Sequence, residues 1–311
     1  MFSIAISAIT PIVLLLIIGY YASVKKHFTL SDSNTFNLIV IQYLLPFSLF
    51  SSILSIPIKT LLHNLNLFFI IFFSLSIFMI CFTLILHYIC SLPTEKTALR
   101  SLAYSSAAVP FIGKPILAPF MSNDITTVLI VSAAFAIALV QQPMTFIMLA
   151  SQNNKHNVSF MRNLLITLKE PVILAPIVAV ILLLVRFPMP HVIIKTGEIM
   201  GMAIPAIAMF TSGIILYTQK IAFNFNVILS VIIRNIVTPL IVIFMLKILH
   251  CSYETIHYTA LAVSIPVGSV VVIMAIKFNT LQKEMASTLF CSTVLSIVTI
   301  PLILTLTKWI V

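Results

Sequence analysis

Charge is what this chain has least of. Charged residues make up only 8% of its 311 positions, against roughly a quarter in an ordinary soluble domain, and so thin a supply cannot cover a surface that faces water. The seven acids, Asp32, Glu95, Asp124, Glu170, Glu198, Glu254 and Glu284, fall in loops or near the ends of apolar runs. A proton relay or a carboxylate-built sodium site therefore has little to work with. The four cysteines, Cys81, Cys90, Cys251 and Cys291, have no CxxC spacing and read as free thiols. No HExxH or other ligand spacing occurs among the seven histidines, which argues against a metal site. A Gly-rich nucleotide loop is missing too, which excludes an ATP-driven pump within this chain and leaves no cofactor implied.

What is present is hydrocarbon. Apolar residues supply 61% of the chain, and the mean hydropathy is +1.19. A spanning helix needs about 20 mainly apolar residues, and the runs that qualify lie near 4–23, 35–56, 66–90, 98–120, 125–149, 169–187, 196–217, 225–248, 256–277 and 285–308. The sequence thus predicts an all-α polytopic membrane protein with ten transmembrane helices. The first run has no basic residue before it and no small-residue cleavage site, so it reads as a retained span rather than a signal peptide. The longest polar connection, at 151–167, divides the runs into five and five and sets two repeats at 1–155 and 156–311.

A net charge of +10 would point to nucleic acid in a soluble chain. Here Lys and Arg concentrate in the loops after runs 1, 3, 5, 7 and 9, among them Lys25, Lys26, Lys96, Arg100, Lys155, Arg162, Lys220 and Lys283. They read as topology signals and contacts to anionic lipid, with those loops in the cytoplasm and both termini outside a cytoplasmic (inner) membrane. No nucleic-acid partner is expected. Five spans per half would insert the second half with inverted orientation. Pro11, Pro46, Pro110 and Pro143 have counterparts at a nearly constant offset in Pro171, Pro205, Pro266 and Pro301, as an inverted duplication requires.

Two runs are interrupted. The stretch 105–120, SSAAVPFIGKPILAPF, carries Pro110, Gly113, Lys114, Pro115 and Pro119; the stretch 264–272, SIPVGSVVV, carries Pro266 and Gly268. A continuous helix would lose a backbone hydrogen bond at each proline. Two broken spans at corresponding places in two halves point to a midplane binding site. The expectation is that they meet within the bilayer and leave peptide groups free to hold a small molecule.

With these stretches the chain resembles the auxin efflux carrier family over nearly its whole length. The matching text is NLIVIQYLLPFSLF in run 2, FIGKPIL in run 4, KEPVILAPIVAVIL in run 6, AIPAIAMFTSGIIL in run 7, IIRNIVTPL in run 8, SIPVGSVVVIMA in run 9 and STLFCSTVLSIVTIPL in run 10. The resemblance implies a bile acid symporter-like fold, two inverted five-helix repeats whose broken helices 4 and 9 cross near the midplane. It also implies a transport domain moving against a scaffold of spans 1, 2, 6 and 7, a small organic anion as substrate, and a homodimer through the scaffold. Where the family commonly carries an Asn beside each break, this chain has Ala108 and Val270.

The candidate substrate-binding residues follow. Lys114 lies past the middle of its run, where its ammonium either pairs with a substrate carboxylate or snorkels to the interface. Pro110, Gly113, Pro266 and Gly268 make the breaks, whose half-helix N-termini favour anions. Ser106 and Ser269 stand beside the breaks as candidate hydroxyl ligands, with Ser105 and Ser264 as their neighbours. Gln141 and Gln142 bring two amides into hydrocarbon; one is expected to line the path and the other to tie helices, with Gln142 favoured for the path. Arg234 is either a second anion contact or gate, or a tie from its helix to the carbonyls of a broken one. These residues predict a secondary transporter of a small organic anion, a carboxylate, working by alternating access, with H+ or Na+ as the open choice of coupling ion. The alternatives are a sodium-coupled symporter of the bile-acid type, a channel, and an intramembrane enzyme, which lacks the paired catalytic groups it would need.

Overall fold

A computed structural model describes residues 2–150, 169–219 and 221–310. The polar connection at 151–167, with Lys155 and Arg162, and Lys220 lie outside the described residues. Among those residues the chain is helical throughout and no strand forms; the one β-type pairing is an isolated antiparallel bridge between Ala107 and Val267.

Among the described residues seven helices are long and apolar enough to cross a membrane: α1 (Ile6–Val24), α2 (Leu30–Ser55), α3 (Leu65–Ile89), α6 (Asn123–Ala150), α8 (His191–Gln219), α9 (Phe225–Ile248) and α12 (Gln282–Trp309). Between them lie α4 (Thr94–Ser105) and α5 (Val109–Leu117), α7 (Pro171–Leu184), and α10 (Tyr253–Ser264) and α11 (Val270–Lys277). At 98–120 and 256–277, where the sequence predicts broken spans, the structure has interrupted pairs. The run at 169–187 is helical over only 14 residues, about 21 Å at 1.5 Å per residue. The run at 225–248 coincides with α9, whereas α8 begins earlier than its run, at His191.

Prolines inside α2, α6 and α9 are absorbed without a break. A proline lacks an N–H and its ring clashes with the carbonyl four residues back. In each helix the turn before it widens to i→i−5 spacing: Leu45 N–H bonds Val40 O ahead of Pro46, Gln142 N–H bonds Ile137 O ahead of Pro143, and Thr238 N–H bonds Ile233 O ahead of Pro239. Such widened turns recur at functional sites because they re-aim neighbouring side chains inward. Two of them deliver Gln141, Arg234 and Asn235 into the core, each 0% exposed.

Glycine sets the closest helix crossings. Helix α1 lies so near α8 that a Cβ on Gly19 would collide with the Phe210 backbone, and one on Gly213 with the backbones of Leu16 and Tyr20. Further along α8, Gly197 and Gly201 receive Ser51 and Ser48 of α2, and α7 packs on α2. Small residues let backbones approach where lipid gives helices no hydrophobic reason to associate. The remaining helices pack around the two interrupted pairs, and α5 and α12 join them to α1 and α8.

Candidate functional site

The first interruption follows from local sequence. Helix α4 stops at Ser105, Ser106 turns extended (φ −81°, ψ 117°), and α5 restarts at Val109 with Pro110 in its first turn, where a missing N–H costs nothing. The second repeats the device: Ile265 is extended (φ −60°, ψ 135°) ahead of Pro266, and α11 restarts at Val270. Each break frees backbone groups that hydrocarbon cannot satisfy.

Those groups satisfy one another. Ala108 N–H donates to Pro266 O at 2.9 Å and Gly268 N–H donates to Ser106 O at 3.2 Å, closing the bridge between the breaks. Gly268 is where the two breaks come close, since a Cβ there would lie 2.9 Å from Ser106 Oγ. Side chains finish the work. Gln141 Nε2 reaches Leu75 O at 3.1 Å and Ser105 O at 3.4 Å, and Arg234 Nη2 donates to Ile265 O at 2.8 Å. Val267 N–H donates to Ser292 Oγ at 3.0 Å, which donates in turn to Asn235 Oδ1 at 2.6 Å. The breaks meet, and several of their peptide groups bond to each other and to buried side chains. Four side-chain atoms there stay unpartnered, namely Ser106 Oγ, Gln141 Oε1, and Arg234 Nε and Nη1.

Open space lies beside the crossing. A cavity of about 250 Å³ is floored by Leu45, Pro110 and Phe111 and walled by Ser48, Ser52 and Ser55 of α2, Asn123, Asp124 and Thr127 of α6, and Glu198, Gly201 and Pro205 of α8. Lys114 projects into it, one helical turn beyond Pro110. Asp124 and Glu198 share the cavity with Lys114, yet among the described residues neither pairs with it; the ion pair found is Arg100–Glu284. A second, much smaller cavity of about 20 Å³ lies against the same Leu45, Pro110 and Phe111 and is lined by Ile41, Ala138, Gln142 and Glu170. Burial pushes the Glu170 carboxyl above its usual range, opposed by Lys277. A larger cavity of about 420 Å³ between α3 and α9 is walled by Phe69, Phe73, Ile77, Met245 and Leu249 and offers little polar chemistry.

The residues singled out from sequence thus separate. Pro110 and Lys114 line the larger cavity and Gln142 the smaller one. Gly113 is buried against Val109 and Ile130. Ser106, Pro266, Gly268 and Ser269 belong to the buried crossing, with Arg234 behind it, 0% exposed. Sequence reasoning passed over Phe111, Asn235 and Ser292, which carry no signal beyond their apolar or small polar type. It read Asp124 and Glu198 as span-end charges, although both lie on the wall facing Lys114. Arg100, read as a loop charge, lies within α4 and is bidentate with Glu284, Nε–Oε1 2.8 Å and Nη2–Oε2 3.1 Å.

A family model described as "Membrane transport protein" matches residues 4–304. Among curated proteins, the chain is similar to the "Uncharacterized transporter YfdV" of Escherichia coli (strain K12), 25% identical over 305 residues that cover 96% of each chain. The protein of the same description from Shigella flexneri matches with the same identity and coverage.

Proposed function

The chain belongs to the membrane transport protein family, that of the auxin efflux carriers, and is a membrane transporter; on that premise we propose that it is a secondary carrier of a small organic anion, a carboxylate, working by alternating access. The observation that supports this reading best is Lys114, an ammonium unpaired among the described residues in a cavity of about 250 Å³ whose floor is the start of a broken helix. An ammonium and serine hydroxyls suit a carboxylate, and the first turn of α5 adds the N-terminal partial charge of a helix. Asp124 and Glu198 then set the orientation, repelling the carboxylate from the walls and toward Lys114.

Counting each interrupted pair as one crossing and α7 as another gives ten crossings in two inverted five-helix repeats, 1–155 and 156–311, in a bile acid symporter-like arrangement. The matching of the two breaks supports that count. In this reading α1, α2, α7 and α8 are the scaffold and the source of a homodimer interface, and the other helices carry the substrate. The excess of Lys and Arg in alternate loops supports insertion in the inner membrane with both termini outside. Leu45, Pro110 and Phe111, common to the two cavities, form the barrier that closes one while the other opens.

The test is a thermal-shift screen of carboxylates on the purified protein, followed by uptake into reconstituted vesicles. Lys114→Leu should abolish both the shift and the uptake while leaving the melting profile of the empty protein intact. Uptake by the variant at the wild-type rate would refute the role of Lys114.

A further inference from the structure

Among the described residues Arg234 is the most costly side chain to bury, and the carrier cycle described above makes no use of it. It is 0% exposed, no carboxylate pairs with it among the described residues, and only one of its nitrogens, Nη2, has a partner. That partner is the carbonyl of Ile265, the residue that follows α10 and is extended because Pro266 comes next. Helix C-termini carry a partial negative charge, and in cation-coupled carriers the coupling ion is held by unwound carbonyls and half-helix C-terminal ends. The corresponding end of α4, at Ser105 O, is met by the neutral amide of Gln141. Both side chains come from a widened turn in a neighbouring helix. The two ends are therefore capped by the same device, one with an amide and one with a cation.

We propose that Arg234 is a built-in cation: its guanidinium stands at the broken end of α10 where a sodium-coupled carrier would hold its ion, so the second break is charge-compensated without any metal. This rests on the carrier reading and narrows it, because it removes sodium from the coupling choices. Asn235, on the same turn, ties that turn to α12 by donating to Ser292 O at 2.8 Å and accepting from Ser292 Oγ, which also holds Val267 N–H. The unpartnered Nε and Nη1 are the donors left over when a five-donor group takes the place of a spherical ion. Arg234 is thus a positioning residue, since it touches the break rather than the cavity that holds Lys114.

The experiment melts full-length purified protein in sodium, potassium or choline chloride at equal ionic strength, and in choline with low-millimolar guanidinium added. Wild type should melt at the same temperature in sodium and choline, within about 1 °C, well inside the shift that binding at one site would give. Arg234→Ala should melt lower in choline and recover in sodium or low-millimolar guanidinium, and Arg234→Lys should melt close to wild type without added cation. A sodium-specific rise for the wild type, an Arg234→Met variant as stable as the wild type in choline, or an Arg234→Ala variant deaf to every cation would each overturn the proposal. Should the Ala variant fail to fold, the wild-type, Met and Lys measurements still decide. Flux enters nowhere in this test, so its failure leaves the carrier reading standing, whereas a wild type that takes up no carboxylate sinks that reading alone.

Discussion

Arg100 and Arg234 show two ways of keeping a cation away from water. Arg100 solves the problem with a partner: Glu284 receives it bidentately while both residues are under 10% exposed. The pair ties α4 to α12. Removing one member strands the other charge, and stranded buried charges cost about 3–5 kcal/mol. Glu284→Gln should therefore lower stability by that order in chemical unfolding, and replacing both residues with Met should recover most of the loss, because the desolvation cost disappears with the charges. A Gln variant as stable as the wild type would show the pair to be idle. Glu170 poses the opposite case, an acid half-buried at the start of α7 with its carboxyl pushed above the usual range. A carboxyl raised on folding favours the native state at low pH and loses that contribution as pH climbs through its native value. Glu170→Gln should thus melt higher than wild type at neutral pH, and the gain should vanish in acid below the ordinary glutamate range. A gain that persisted in acid would mean that the charge of Glu170 is not its cause.

Helix crossings rank the glycines by what surrounds them. At Gly213 an added Cβ meets backbone atoms of α1, which cannot rotate away, while at Gly113 it meets only side chains of Val109, Ile130 and Leu117 at 3.1 Å or more. Gly213→Ala should cost at least the ~1–3 kcal/mol typical of overpacking, seen as a fall in melting temperature in detergent, and Gly113→Ala much less; equal losses would mean that α1 and α8 adjust freely. These elements also mark what the sequence could and could not tell. Spans were legible because hydropathy counts residues against a fixed thickness, and α9 falls where its run ends. The breaks were legible because proline acts on its own backbone, so Pro110 and Pro266 located them without knowledge of any neighbour. Which proline would break a helix and which would only widen a turn was not: Pro143 and Pro239 sit in equally apolar text and leave their helices unbroken. That difference lies in whether a neighbour can satisfy the freed groups, a tertiary property. For the same reason the Arg100–Glu284 pair, 184 positions apart, and the wall that Asp124 and Glu198 build opposite Lys114 had no local signature.

For the molecule as a whole, the decisive feature is that two unequal cavities back onto the same three residues. One holds about 250 Å³ and the other about 20 Å³, with Leu45, Pro110 and Phe111 between them. A channel would join them, whereas a carrier must keep at least one closed, since substrate crosses only as the barrier passes from one side of it to the other. In the structure the cavity with Lys114 is the roomier, and Gln142 lines the constricted one. Two single cysteines report on the two sides: Ser52→Cys in the larger cavity and Gln142→Cys in the smaller, each in a background where Cys81, Cys90, Cys251 and Cys291 are replaced by Ala. With a membrane-impermeant thiol reagent, Ser52→Cys should react from the face bearing the loop between α5 and α6, and Gln142→Cys only from the opposite face. A saturating carboxylate that shifts the population must move the two labelling rates in opposite directions, because room gained on one side of a single barrier is lost on the other. Rates that rise together, or a Gln142→Cys protein labelled from the Ser52 face, would mean that the two spaces are continuous and that flux follows an open pore.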